Sequence, residues 1–174
     1  KNMLKQRITT ALVLLPVVLM LFFMVALDYF ATAIGLVVYL VALEWAKVIG
    51  LKPIVHKALF AVGISILNLI IWYSEPNFAV WPSLSWPNFF AADLPLIALF
   101  AGVFGFIISS LIVFTYKPAP NWWANRAVGS FLGILMLPAI FVALISIRKV
   151  ALLDEPVRGG ALVLYMFCLI WAAD

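Results

Sequence analysis

Charge is what this chain has least of. Asp, Glu, Lys and Arg make up 10% of its 174 residues, where a soluble domain carries about 25%. Hydrophobic residues reach 67%, against about 45–50% in soluble proteins. That leaves too little polar surface to cover a water-soluble globule, so lipid has to be the solvent. Cysteine is nearly missing too. Cys168 stands alone, which excludes an internal disulfide and leaves a small buried or lipid-facing residue. His56 is the single histidine; with no cysteine nearby it makes no metal site, and beside Lys57 it reads as a solvated loop residue. No G-x-x-x-x-G-K-[ST] or G-x-G-x-x-G phosphate loop is present, and Gly159-Gly160 is too short to be one. The net charge of +4 lacks the block of Lys and Arg among polar residues that would mark a nucleic-acid partner.

What the chain does have is long apolar runs. A membrane helix needs roughly 20 apolar residues. Five complete candidates run from about Ile8 to Leu27, Tyr29 to Trp45, Ala58 to Tyr73, Leu94 to Tyr116 and Ala127 to Ile147. A sixth begins near Gly160 and is barely long enough when the chain stops at Asp174. The fold expected is an all-α, polytopic membrane helical bundle in one membrane domain over residues 1–174. Only Asp28 separates the first two spans, which predicts a tight helical hairpin. Lys1, Lys5 and Arg7 resemble a signal-peptide n-region. The apolar stretch behind them exceeds the ~7–15 residues of such a signal and has no A-x-A site, so a retained helix is favoured.

Loop charges choose an orientation. Lys1, Lys5 and Arg7 precede the first span, Lys47, Lys52 and Lys57 lie around the second loop, and Lys117 and Arg126 in the fourth. The first and third loops hold only Asp28, Glu75 and Asp93. The positive-inside rule then puts the N-terminus and the even loops in the cytoplasm. Arg148, Lys149 and Arg158 run against it, partly offset by Asp154 and Glu155. Glu44 and Asp174 become the two carboxylates that reach the cytoplasmic face. A free carboxylate at the edge of a span is costly and usually has a task.

Other features have ordinary explanations. Glu75 to Asp93, with Trp81, Trp86 and three prolines, reads as an outer-surface lid at headgroup level. Trp122 and Trp123, between Lys117 and Arg126, suit a cytoplasmic interface with anionic lipid. Gly129 and Gly133 form a GxxxG, and Ala98/Gly102 and Ala101/Gly105 are similar small-residue pairs; packing within the chain is favoured over dimerisation. Pro16 and Pro138 lie inside spans, where kinks are expected. Ser65, Asn68 and Trp72 share one helix face. An interhelical hydrogen bond from Asn68 is expected there, with a polar pathway as the minority view.

Three stretches are similar to one known family. Met3-Leu-Lys-Gln-Arg-Ile-Thr-Thr-Ala-Leu-Val-Leu-Leu-Pro16, Ala42-Leu-Glu-Trp-Ala-Lys-Val-Ile-Gly50 and Gly160 to Asp174, above all Ile170-Trp-Ala-Ala-Asp174, resemble the bacterial phosphatidate cytidylyltransferase (CDP-diacylglycerol synthase) family. They follow in the family's order over most of the chain, with the third loop least alike. The family's D-[ST]-G-A-Y would begin at Asp174, and its S-P-G-K-T segment and C-terminal signature are not in this sequence. The chain therefore reads as an N-terminal portion, inactive by itself.

The resemblance implies transfer of CMP from CTP to phosphatidate, giving CDP-diacylglycerol and pyrophosphate at a bacterial inner membrane, with Mg²⁺ as cofactor. It implies that Asp174 belongs to the metal or nucleotide site. Glu44 is the weaker second carboxylate, for which an ion pair with Lys47 or Lys117 competes. Arg7, Lys52 and Arg126 are candidates for the phosphatidate phosphate, weighed against simple topogenic charge. The partners are the two substrates and the bilayer; a homodimer stays open, and no nucleic acid is expected. A transporter or membrane assembly subunit is the main alternative and would place ionisable residues near mid-bilayer. A lipid kinase is another; it would share the interfacial site but not the three stretches.

Overall fold

The computed structural model describes residues 15–74, 93–114, 125–149 and 157–173. All of their regular structure is helical. Residues 15–23 form α1, followed by α2 (Leu27–Val48), α3 (Ile54–Ser74), α4 (Leu94–Phe114), α5 (Arg126–Lys149) and α6 (Val157–Ala173). Helices α2 to α5 are each long and apolar enough to cross a membrane, and α6 is a shorter apolar helix. The chain is a multi-pass membrane protein. The outer-surface lid expected over 75–92 and the Trp122/Trp123 anchor lie outside the described residues, as do Arg7, Lys117 and Asp174.

Local chemistry sets the helix ends. The α1–α2 hairpin breaks over residues 24–26, not at Asp28. Asp28 lies in the first turn of α2, where its charge complements the helix N-terminus and its carbonyl accepts the Thr32 hydroxyl at 2.8 Å. Helix α2 ends in a Schellman motif: Gly50, at φ +80°, donates to the Lys47 carbonyl and Leu51 to that of Ala46, both at 3.0 Å. Only glycine adopts that left-handed position without penalty. Helix α3 starts at Ile54, right after Pro53, so His56 sits in its first turn instead of a loop. The apolar run used to place that span does not register the polar first turn. The Asn125 side chain caps α5, accepting from the Ala127 amide at 3.1 Å.

Helix α5 is the hub and touches α2, α3, α4 and α6. Phe30, Ile34, Val38, Ala42 and Ala46 recur every four residues on α2 and are buried. The first four join Phe141, Val142 and Ile145 of α5 in one buried cluster. Neighbouring helices alternate in direction. On α4, a Cβ at Gly102 would strike Ala139, while one at Gly105 would meet Met136 at 3.0 Å; the descending numbers on α5 make this pair antiparallel. The close approach expected of the small residues on α4 is thus made within the chain. Pro138 lies buried inside α5. At the start of α6, a Cβ on Gly159 would strike the Arg148 carbonyl and one on Gly160 that of Phe22. The glycine pair is a backbone-to-backbone joint that holds α6 against the ends of α5 and α1. Cys168, on α6, is exposed.

Gly102→Leu must push α4 away from α5, and we expect it to lower stability by about 1–3 kcal/mol. Unfolding of the purified protein in detergent by added denaturant measures this. A variant unfolding at the wild-type midpoint would show that the α4–α5 contact is not made.

Candidate functional site

The alternating helices sort the charged residues to two ends. At one end lie the close of α2, the start of α3 and the start of α5, with Lys47, Lys52, Lys57 and Arg126. At the other are the α1–α2 break, Asp28, the start of α4 after Asp93, and Arg148 and Lys149 closing α5. Helix α6 starts beside the end of α5 and packs back along it, so it runs toward the Arg126 end. Asp28, Glu44 and Asp93 all sit at or next to helix ends, unlike the mid-bilayer carboxylates a transporter would show.

The basic end is organised around Trp45. Its indole Nε1 donates to the Gly129 carbonyl at 2.9 Å, joining α2 to α5. The ring lies over Gly133, where a Cβ would come 2.6 Å from Nε1 and 2.9 Å from the Phe60 ring. The GxxxG therefore makes room for two side chains, Ile49 at Gly129 and Trp45 at Gly133, and not for a second helix backbone. Trp45 lies three residues before the end of α2, and nothing in the sequence points to the Gly129 bond. One turn further out, Arg126 Nε lies 3.8 Å from where a Cβ on Gly50 would be. The Trp45 joint thus brings Arg126 up to the α2–α3 turn, two residues from Lys52. Both cations are exposed, as a group that receives a phosphate from solvent or headgroup has to be.

Glu44 is exposed, and its carboxylate accepts from the Lys47 ammonium at 2.5 Å. Among the described residues no three His, Cys, Asp or Glu side chains converge on a metal position. The described residues do not by themselves fit a divalent cation, and no step of the chemistry is derived through one. His56 is exposed on the first turn of α3.

At the opposite end the structure departs from the sequence reading twice. Arg148, read as a charge in the outer loop, lies 6.0 Å over the Phe30 ring and donates from a terminal nitrogen to the Val25 carbonyl at 3.5 Å. It fastens the hairpin to α5 by cation–π attraction and a hydrogen bond. Asn68 was expected to bond across helices. Instead it is buried on α3, and neither amide atom has a hydrogen-bond partner among the described residues. Leaving such a group unpaired costs about 1–3 kcal/mol.

Comparison with known proteins gives the geometry a context. The sequence model of the cytidylyltransferase family matches residues 5–174. A protein of Pseudomonas aeruginosa named phosphatidate cytidylyltransferase is 30% identical over 172 residues, which is 99% of this chain and 55% of the relative. One of the same name in Haemophilus influenzae is 30% identical over 173 residues, 99% of this chain and 58% of that relative. The chain therefore spans little more than half the length of these curated relatives. No solved structure matches it.

The Glu44–Lys47 pair is open to solvent on both sides, and exposed pairs contribute about 0–1 kcal/mol. Glu44→Gln is expected to shift the unfolding free energy by less than ~1 kcal/mol. A larger loss in the same denaturation assay would mean that Glu44 holds something besides Lys47.

Proposed function

Because the chain belongs to the cytidylyltransferase family, we propose that the whole protein is a phosphatidate cytidylyltransferase of the bacterial inner membrane. It joins CTP and phosphatidate to form CDP-diacylglycerol and pyrophosphate. A phosphate oxygen of the lipid attacks the α-phosphorus of CTP. The new P–O bond forms as the bond from the α-phosphorus to the bridging oxygen breaks, and pyrophosphate leaves with the electron pair. The observation that carries this reading is the match to the family along nearly the whole chain.

The basic end suits such chemistry. One substrate is embedded in the bilayer and the other dissolved in the cytosol, so the reaction belongs at the cytoplasmic interface. Fixed cations there neutralise phosphate charge. In this reading Arg126 and Lys52 flank the phosphatidate phosphate, with Arg7 as a third cation. Asp174 belongs to the metal or nucleotide site, with Mg²⁺ as the ion. Glu44, engaged by Lys47, is the lesser carboxylate. The N-terminus and the Arg126 end face the cytoplasm, which is where the positive-inside rule puts a surplus of Lys and Arg.

Two measurements test the reading. In the full-length protein, Asp174→Asn at a constant membrane level should abolish CTP-dependent formation of CDP-diacylglycerol; near-normal turnover would sink the role given to Asp174. For orientation, Cys168 is first replaced by Ser, and single cysteines are placed at His56 or Asp93. In intact spheroplasts a membrane-impermeant maleimide should label the second and not the first. The reverse pattern would invert the topology.

A further inference from the structure

Three contacts follow one another along the seam between the end of α2 and the start of α5. Trp45 lies over Gly133, Ile49 against Gly129, and Arg126 beside Gly50. As the numbers climb from α2 into its turn they fall on α5, so the seam is antiparallel and ends at the basic edge of the bundle. A hydrogen bond crosses it, from the indole of Trp45 to the Gly129 carbonyl at 2.9 Å. Gly129 is the fourth residue of α5, so helix geometry already commits its carbonyl to the amide of Gly133. The indole takes the second lone pair of that oxygen. The α5 ladder does not need this bond. What the bond adds is direction: it holds a distance and an angle, whereas apolar packing is non-directional.

Arg126 and Gly129 stand at i, i+3 and so on one face of α5. The face that Trp45 grips is therefore the face that carries Arg126, about 4.5 Å further out along the axis. The Arg126 Nε comes 3.8 Å from the position of a Cβ on Gly50. Gly50 is itself fixed by its φ of +80° and by the hydrogen bond from its amide to the Lys47 carbonyl, and Lys52 follows two residues later. The turn is thus the stationary half of the pair, and the first turn of α5 is the half whose place the indole sets. Lys47, at the same end, is engaged by Glu44. Among the described residues, Arg126 and Lys52 are in no ion pair. Two cations meet one phosphate together only while their separation is held, and displacements of about 1 Å matter at such sites.

We infer that Trp45 is a positioning residue for phosphatidate, provided that Arg126 and Lys52 flank the lipid phosphate as proposed above. Its hydrogen bond to the Gly129 carbonyl holds Arg126 at the distance from Lys52 that lets both cations meet that phosphate. It acts on the substrate only through Arg126. Its loss therefore weakens phosphatidate binding and leaves CTP binding and the chemical step in place.

The experiment is steady-state kinetics of the full-length protein in mixed micelles, with the phosphatidate mole fraction and the CTP concentration varied in turn. Trp45→Phe keeps an aromatic ring over Gly133 and removes the donor. It should raise the KM for phosphatidate about three- to tenfold, the range set by one hydrogen bond, with the KM for CTP and kcat within about twofold of wild type. A KM that rises at constant kcat reports lost ground-state binding. Arg126→Gln should raise the same KM at least as far, and Trp45→Phe should add nothing in the Arg126→Gln background. Where Trp45→Phe does not fold, 3-benzothienylalanine at position 45 carries the same test, because it keeps the shape of the indole and removes only the N–H. An unchanged phosphatidate KM for the position 45 variant beside a raised one for Arg126→Gln overturns the positioning role and leaves the phosphate reading standing. So does an effect that adds to that of Arg126→Gln, or one that falls equally on CTP or on kcat. An unchanged KM for Arg126→Gln overturns the phosphate reading and the positioning role with it.

Discussion

Between helices in lipid there is no hydrophobic drive of the kind that collapses a soluble core, so association depends on how closely the helices can approach and on a few polar contacts. In this bundle both concentrate on α5. Gly102 and Gly105 let α4 come down onto Ala139 and Met136. Gly129 admits the Ile49 side chain and Gly133 the Trp45 ring, and the indole closes that contact with a hydrogen bond to the Gly129 carbonyl. At the far end, Arg148 reaches back to Val25 and Phe30. Remove the narrow waist of α5 and the helices that surround it lose their common reference.

The same helix relates packing to chemistry. Arg126 is its first residue, and the Trp45 contact one turn inside decides how near that residue comes to the α2–α3 turn carrying Lys52. The glycines at the start of α6 act in parallel at the opposite surface, since they set the helix that runs back toward the Arg126 end. Packing contacts within a turn of the helix ends therefore position charged groups at the edge of the bundle. The proposed phosphate-binding pair, Lys52 and Arg126, can be kept in place without any loop having to be rigid.

Much of this was legible from residue order, and what was not has a physical reason in each case. The spans follow from the length of apolar runs, which is why α4 and α5 fall within two residues of where hydropathy places them. Ends were less visible. Asp28 looks like a divider because it is charged, yet a carboxylate is welcome in the first turn of a helix, and the break falls just before it. Small residues announce close contact but not its partner: Gly129 receives Ile49, Gly133 receives an indole, and Gly159 and Gly160 receive carbonyls. Asn68 shows the limit most clearly. A buried amide implies a partner, and the chain supplies none among the described residues. For the chemistry, Lys52 and Arg126 could be nominated only through the family resemblance, with topogenic charge as the competing reading, while their approach through Gly50 needed the fold. Glu44 could be weighed against an ion pair but not assigned to one, because side-chain pairing at a surface is not written in spacing.

The Trp45 and Gly133 positions are two halves of a single filled space. A side chain any larger than hydrogen at 133 runs into the indole and the Phe60 ring, and a smaller ring at 45 leaves a void beside a bare stretch of α5. Neither residue can change alone without loss, yet a reduction at one makes room for growth at the other. The pair forms one steric unit shared between two distant stretches of the chain. The volume at the base of the basic end is therefore fixed by two helices together and by neither alone.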